Sequence, residues 1–164
     1  MECGFILEPA DILAMRGTDS IGKVIRDVTR QNYSHIAIVG RDELHVFEAI
    51  WTGIRYREIH YKFGDFDVFR CPTITPKQVS TIIAFCSKKI NQGYDYIELF
   101  SYLNHGLSKF NNPKKFICSE LAYNAYLSCG IPLVKKTSTI VTPGDIANSK
   151  ELIKINIKDS ICEV

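Results

Sequence analysis

The sequence has no long apolar run, no basic leader, no Cys-x-x-Cys pair and no low-complexity stretch, and each absence removes a class of protein. A membrane-crossing helix needs about 18 or more consecutive apolar residues, and no stretch is that long. The first residues, Met1-Glu2-Cys3-Gly4-Phe5-Ile6-Leu7-Glu8-Pro9, carry neither the basic segment nor the sustained apolar core of a signal peptide. The expected location is cytoplasmic, or exported without a recognisable signal peptide. The six cysteines stand singly at 3, 71, 86, 118, 129 and 162, with no histidine at metal-ligand spacing beside them. Reduced thiols are expected, with no metal and no cofactor. A formal net charge of +2 is small and dispersed, and no ladder of basic and aromatic residues tracks a strand of bases, so nucleic acid is not an expected partner.

What is present fits a folded domain. The 164 residues are 46% hydrophobic and 23% charged, enough to bury a core without staples. No repeat or linker divides the chain, so one domain over 1–164 is expected. Thr18 or Asp19 can cap a helix whose apolar stripe is Ile21, Val24, Ile25 and Val28. Strands are expected at roughly 35–40, 44–51, 53–59 and 65–71, joined by short loops into an antiparallel meander. Thr75 and Pro76 read as cap and first residue of a helix burying Val79, Ile82, Ile83, Cys86 and Ile90, closed by Gly93. Tyr94 to Leu103 reads as a further short helix, and Leu152-Ile153-Lys154-Ile155-Asn156-Ile157 alternates like a half-buried strand. Helix, sheet, helices and a late strand make an α+β fold rather than a βαβ-type one.

Chemistry concentrates at Cys118. In Phe116-Ile117-Cys118-Ser119-Glu120-Leu121-Ala122 an apolar strand end is expected to deliver the thiol to the first turn of a helix, which Leu121, Ala122, Ala125, Tyr126 and Cys129 continue and Gly130 ends. The unpaired N–H groups and dipole of a first turn favour thiolate over thiol and can bind an oxyanion. Cysteine is also among the most buried residue types, and alone Cys118 reads equally as a small hydrophobe. Cys86 and Cys129 fall on apolar helix faces and read as core, Cys3 and Cys162 lie near the termini, and Cys71 before Pro72 is the one other thiol of interest.

A base is available in Tyr33-Ser34-His35-Ile36-Ala37-Ile38-Val39, where His35 stands at the mouth of a strand. After the turn Gly40-Arg41-Asp42-Glu43, the run Leu44-His45-Val46-Phe47-Glu48-Ala49-Ile50-Trp51 reads as its antiparallel partner. Glu48 is the acid in that apolar strand, and burying it demands a partner, the nearest being the imidazole across the hairpin. Thiol, imidazole and an orienting acid form a nucleophile–base–orienter set. His45, His60 and His105 are alternative bases, and Glu120 is already explained by its place in a helix first turn. Lys114 and Lys115 read as a solvated turn. Tyr33 is a secondary candidate for substrate or oxyanion contact, with packing as the other reading.

In that order along the chain, Ala10-Asp11-Ile12-Leu13, Tyr33-Ser34-His35, Val46-Phe47-Glu48-Ala49, Gly93-Tyr94-Asp95-Tyr96, Cys118-Ser119-Glu120-Leu121 and Thr142-Pro143-Gly144-Asp145-Ile146 resemble the permuted NlpC-type branch of the papain-like cysteine peptidases. These are the YiiX-like proteins, related to lecithin:retinol acyltransferase. The resemblance implies a circularly permuted papain-like fold, an antiparallel, small barrel-like sheet packed on helices. It implies Cys118 as nucleophile, His35 as base and Glu48 as the orienting residue. One departure is Ala10, where the family usually has Gly. The implied activity is hydrolysis of an amide in a peptide or amino-acid conjugate. Alternatives are a thioesterase, lipid hydrolase or acyltransferase, with Phe63, Phe66, Phe100, Tyr102 and Phe110 lining an acyl pocket, or a binding module that uses the same cleft without catalysis.

Overall fold

The structure, a computed structural model, describes residues 7–16, 32–50, 53–60, 64–90, 117–135 and 141–156. The expected first helix around Ile21–Val28, the helix over 94–103, Gly93, His105, Lys114, Lys115, Cys3, Cys162, Phe63, Phe100, Tyr102 and Phe110 lie outside the described residues.

Described elements run β1 (Ile12–Met15), β2 (His35–Val39), β3 (His45–Ile50), β4 (Gly53–Glu58), β5 (Phe66–Arg70), α1 (Pro76–Ile90), α2 (Ile117–Leu127), α3 (Pro143–Ala147) and β6 (Ile153–Ile155). The strands form one antiparallel sheet in the order β4-β3-β2-β1-β5-β6. With helices on it, this is the α+β class expected. Two details differ from the sequence expectation. The sheet is open, with β4 and β6 as its edges, rather than closed into a small barrel. The meander also stops at β4, because β5 crosses to the far side of the sheet and pairs with β1.

The strand that decides this topology, β1, was not anticipated. All four of its residues are buried, so neither face carries the polar alternation that marks a strand in sequence. It is paired on both sides, Leu13 facing Ala37 of β2 and Val68 of β5. Apolar side chains pack on both faces of the sheet. One cluster joins Ile12, Ile36, Ile38 and Phe47 to Ile82 and Cys86 of α1 and Leu121, Ala122 and Tyr126 of α2, and the other gathers Leu13, Met15, Ala37, Val39, Val46, Phe66 and Val68. Each fully buried aliphatic side chain contributes about 1.5–3 kcal/mol.

Helix ends follow the expected chemistry. Thr75 and Gln78 exchange bonds as a capping box ahead of Pro76, and Gly130 follows α2 at φ +85°. Thr142 and Asp145 cap α3 in the same way. Two buried hydroxyls fix α2: Tyr126 donates to the Ala10 carbonyl at 2.7 Å, and Ser119 donates to the Val141 carbonyl at 2.6 Å.

Candidate active site

The site forms where β2 begins, β3 runs beside it and α2 starts above them. His35 is the first residue of β2, its chain anchored by the Ser34 N–H on the Met15 carbonyl at 2.9 Å. Glu48 stands opposite Ala37, so the carboxylate and His35, two residues earlier on the same face, meet across the strand diagonal. His35 Nε2 lies 2.9 Å from Glu48 Oε2. Glu48 is 2% exposed, as the sequence requires of an acid in an apolar strand.

Cys118 is the second residue of α2, which begins at Ile117 and so includes a residue expected to end a strand. The thiol is buried and faces His35, with which it shares a hydrogen bond. With Nε2 held by Glu48, Nδ1 is the ring nitrogen left for it. Burial works against a thiolate here. The neighbouring imidazolium and its hydrogen bond, with the N–H groups of Ile36 and Ser119, outweigh it and hold the Cys118 pKa below the ordinary thiol value. Burial likewise opposes the His35 cation, but the Cys118 thiolate first and Glu48 second raise its pKa. The two shifts have one cause, an ion pair sheltered from water. Other described thiols differ: burial pushes Cys86 up to about 12 and raises Cys129, while Cys71 is buried at the end of β5 with its sulfur 3.7 Å from Thr73 Oγ1.

Two side chains that sequence reasoning did not single out complete the surroundings of Glu48. Arg55 Nε and Nη2 each lie 2.7 Å from Glu48 Oε1, and Arg57 Nε donates to the same oxygen at 2.5 Å. The signal was available: Arg55 and Arg57 alternate along β4 on the face of Glu48, which pairs directly with Arg55. Oε1 thus belongs to the guanidiniums and Oε2 to the imidazole.

The remaining candidates are placed elsewhere. Tyr33 donates its hydroxyl to Asp67 at 2.5 Å, and burial followed by this bond raises its pKa to about 12. Asp67 also pairs with Arg16 and with Lys154, the latter at 3.0 Å. The Tyr33 hydroxyl, a secondary candidate for substrate or oxyanion contact, hydrogen-bonds that carboxylate, and its ring packs edge-on against Phe69. His45 Nδ1 sits 2.8 Å from Asp42 in the hairpin turn and its ring stacks on Tyr56, and His60 is exposed on the strand exit. Phe66, offered as an acyl-pocket residue, packs in the apolar cluster with Leu13 and Val68.

No protein-family profile matches the chain. A probable lipoprotein peptidase, YaeF of Escherichia coli (strain K12), is 26% identical over 178 residues, which cover 88% of this chain and 64% of that protein. The chain therefore spans a little under two thirds of its curated relative. Among solved structures, the metalloprotein YiiX from Escherichia coli O157:H7 matches with a TM-score of 0.69 at 18% identity, covering 93% of this chain and 98% of that one. The chain thus has the fold of YiiX and is similar in sequence to YaeF. The YiiX structure is described as that of a metalloprotein. Among the described residues of this chain no group of three or more His, Cys, Asp or Glu converges as a metal site, and two guanidiniums occupy Glu48 where a cation would bind. Those residues do not fit a metal. Among the described residues no helix is long and apolar enough to cross a membrane.

Proposed function

We propose that this YiiX-like chain is a cysteine-dependent hydrolase of amide bonds in peptides or amino-acid conjugates, with Cys118 as nucleophile, His35 as base and acid, and Glu48 as the orienting group. The observation that carries the reading is the buried thiol at a helix N-terminus, hydrogen-bonded to an imidazole whose other nitrogen lies 2.9 Å from a buried carboxylate. Similarity to a lipoprotein peptidase supports hydrolysis as the reaction class and a peptide as substrate.

The Cys118 thiolate attacks the carbonyl carbon, and the C=O electrons move to oxygen. The backbone N–H of Cys118, in the first turn of the helix, is suited to that oxyanion. As the tetrahedral intermediate collapses, the C–N bond breaks and His35 gives its proton to the leaving amine, leaving a thioacyl enzyme. Neutral His35 then takes a proton from water as the water oxygen attacks the thioester carbon. Cleavage of the C–S bond releases the acid and restores the thiolate–imidazolium pair. Glu48 keeps the ring turned with Nδ1 toward sulfur throughout.

Cys118→Ala is expected to abolish release of amine from a peptide-amide library while the far-ultraviolet circular dichroism stays unchanged. Wild type quenched during turnover is expected to carry an acyl mass on the peptide containing Cys118. Full activity in Cys118→Ala would end the proposal.

A further inference from the structure

A carboxylate with 2% of its surface exposed, taken from water with an imidazole alone, carries a large desolvation cost. Glu48 meets it with two more cations, both from the edge strand β4. Arg55 brings two nitrogens to Oε1 and Arg57 a third, while Tyr56 between them turns to the opposite face and packs on Phe47. The arginines are not buried to the same degree: Arg55 is 46% exposed and Arg57 29% exposed. Neither needs to be drawn here to satisfy its own hydration, so their convergence on one buried oxygen is what the carboxylate requires.

We infer that Arg55 and Arg57 are positioning residues for the thiol–imidazole pair: they clamp Glu48 through Oε1, so that Oε2 is fixed on His35, and they add positive charge that favours the Cys118 thiolate. The inference rests on the proposed roles of Cys118, His35 and Glu48. Two consequences follow from the geometry. Three N–H groups on one oxygen leave the carboxylate no freedom to rotate about its last bond, and His35 inherits that orientation. With the pair ionised, the two anions Cys118 and Glu48 face the single cation His35, and the guanidiniums turn that local excess of negative charge into an excess of positive. Among the described residues, the charged groups facing the thiolate and imidazole are then Glu48 from β3, Arg55 and Arg57 behind it from β4, and each other across β2 and α2. Removing the guanidiniums loosens the orienting group and removes positive charge from the neighbourhood of the sulfur. Both effects make the thiolate harder to form.

The test is the rate of Cys118 alkylation by iodoacetamide across pH, read by peptide mass spectrometry, in wild type, Arg55→Gln/Arg57→Gln and Arg55→Lys/Arg57→Lys, each checked for folding by circular dichroism. The glutamine pair is expected to raise the pH at which Cys118 becomes reactive by roughly half a unit to one unit, the exposure of both arginines tempering a larger shift. The lysine pair keeps the charge and is expected to recover most of that shift, a rescue that a purely structural role does not give. If the glutamine pair does not fold, Arg55→Gln and Arg57→Gln are read singly, each with a smaller shift in the same direction. An unchanged onset in folded glutamine variants, or a lysine pair indistinguishable from the glutamine pair, overturns the clamp. Wild-type Cys118 that gains nothing from His35 overturns the proposed function itself, and the two failures are read from different samples.

Discussion

Glu48→Gln changes one atom's chemistry and leaves the shape, so its effect on His35 can be worked out. Glu48 Oε2 lies 2.9 Å from His35 Nε2 in a setting where the carboxylate is 2% exposed, and a hydrogen bond to a charged group is worth about 1.5–3 kcal/mol. The lower end applies, because Arg55 and Arg57 already offset part of the Glu48 charge. About 1.4 kcal/mol is one pKa unit, so the His35 pKa is expected to fall by about one unit. The direction is fixed: losing a negative charge while two positive ones remain disfavours the imidazolium. The assay is an NMR titration of the imidazole nitrogens in both proteins. A His35 pKa that is unchanged or higher in Glu48→Gln would refute the reasoning, since Glu48 would then not be acting on the ring through charge.

Two further predictions concern stability. His35 has a folded pKa raised above its unfolded 6.5, to about 10, so its contribution is full below 6.5 and lost as pH rises through about 10. Cys118 has a folded pKa lowered from 9.0, so its contribution is full above 9.0 and lost as pH falls through the folded value. Summed, the pair holds one proton folded and one unfolded between about 6.5 and 9, and its stabilisation is level there, declining on both sides. Urea unfolding across pH is expected to show this plateau in wild type and to lose the pair's decline just below about 6.5 in His35→Ala, where the buried thiol stays protonated in both states. A decline of the same size just below 6.5 in His35→Ala contradicts the assignment. Separately, Ala10 sits at φ +74° with 2% exposure, where a β-branched side chain is strained and crowded. Ala10→Val is expected to cost about 2–3 kcal/mol in the same assay, and a cost near zero would show that this backbone relaxes freely.

How much was legible in the sequence depended on whether a residue's neighbours were local. The hairpin carrying His35 and Glu48 announced itself through two apolar runs and a polar turn, and its pairing follows from adjacent strands with a short connection. Thr75, Pro76 and Gly130 marked helix ends because capping is a local exchange. Ala10, noted in sequence as a departure from Gly, proves to sit in the left-handed region that favours glycine. Nothing local marks β1 as a central strand, since its identity lies in partners at least 20 and more than 50 residues away. Tyr33 read as a candidate because Asp67, which accepts its hydrogen bond, is brought beside it only by the pairing of β5 with β1. Arg55 and Arg57 were not singled out, because only the register of β4 sets them over Glu48.

The measurement that bears most directly on the central claim is alkylation of the native protein by iodoacetamide across pH, followed cysteine by cysteine in wild type and His35→Ala. The ion pair predicts that Cys118 reacts ahead of Cys71, Cys86 and Cys129 near neutral pH and that this lead disappears without His35. Cys118 reacting no faster than Cys71 in wild type, or keeping its lead in His35→Ala, would contradict the account.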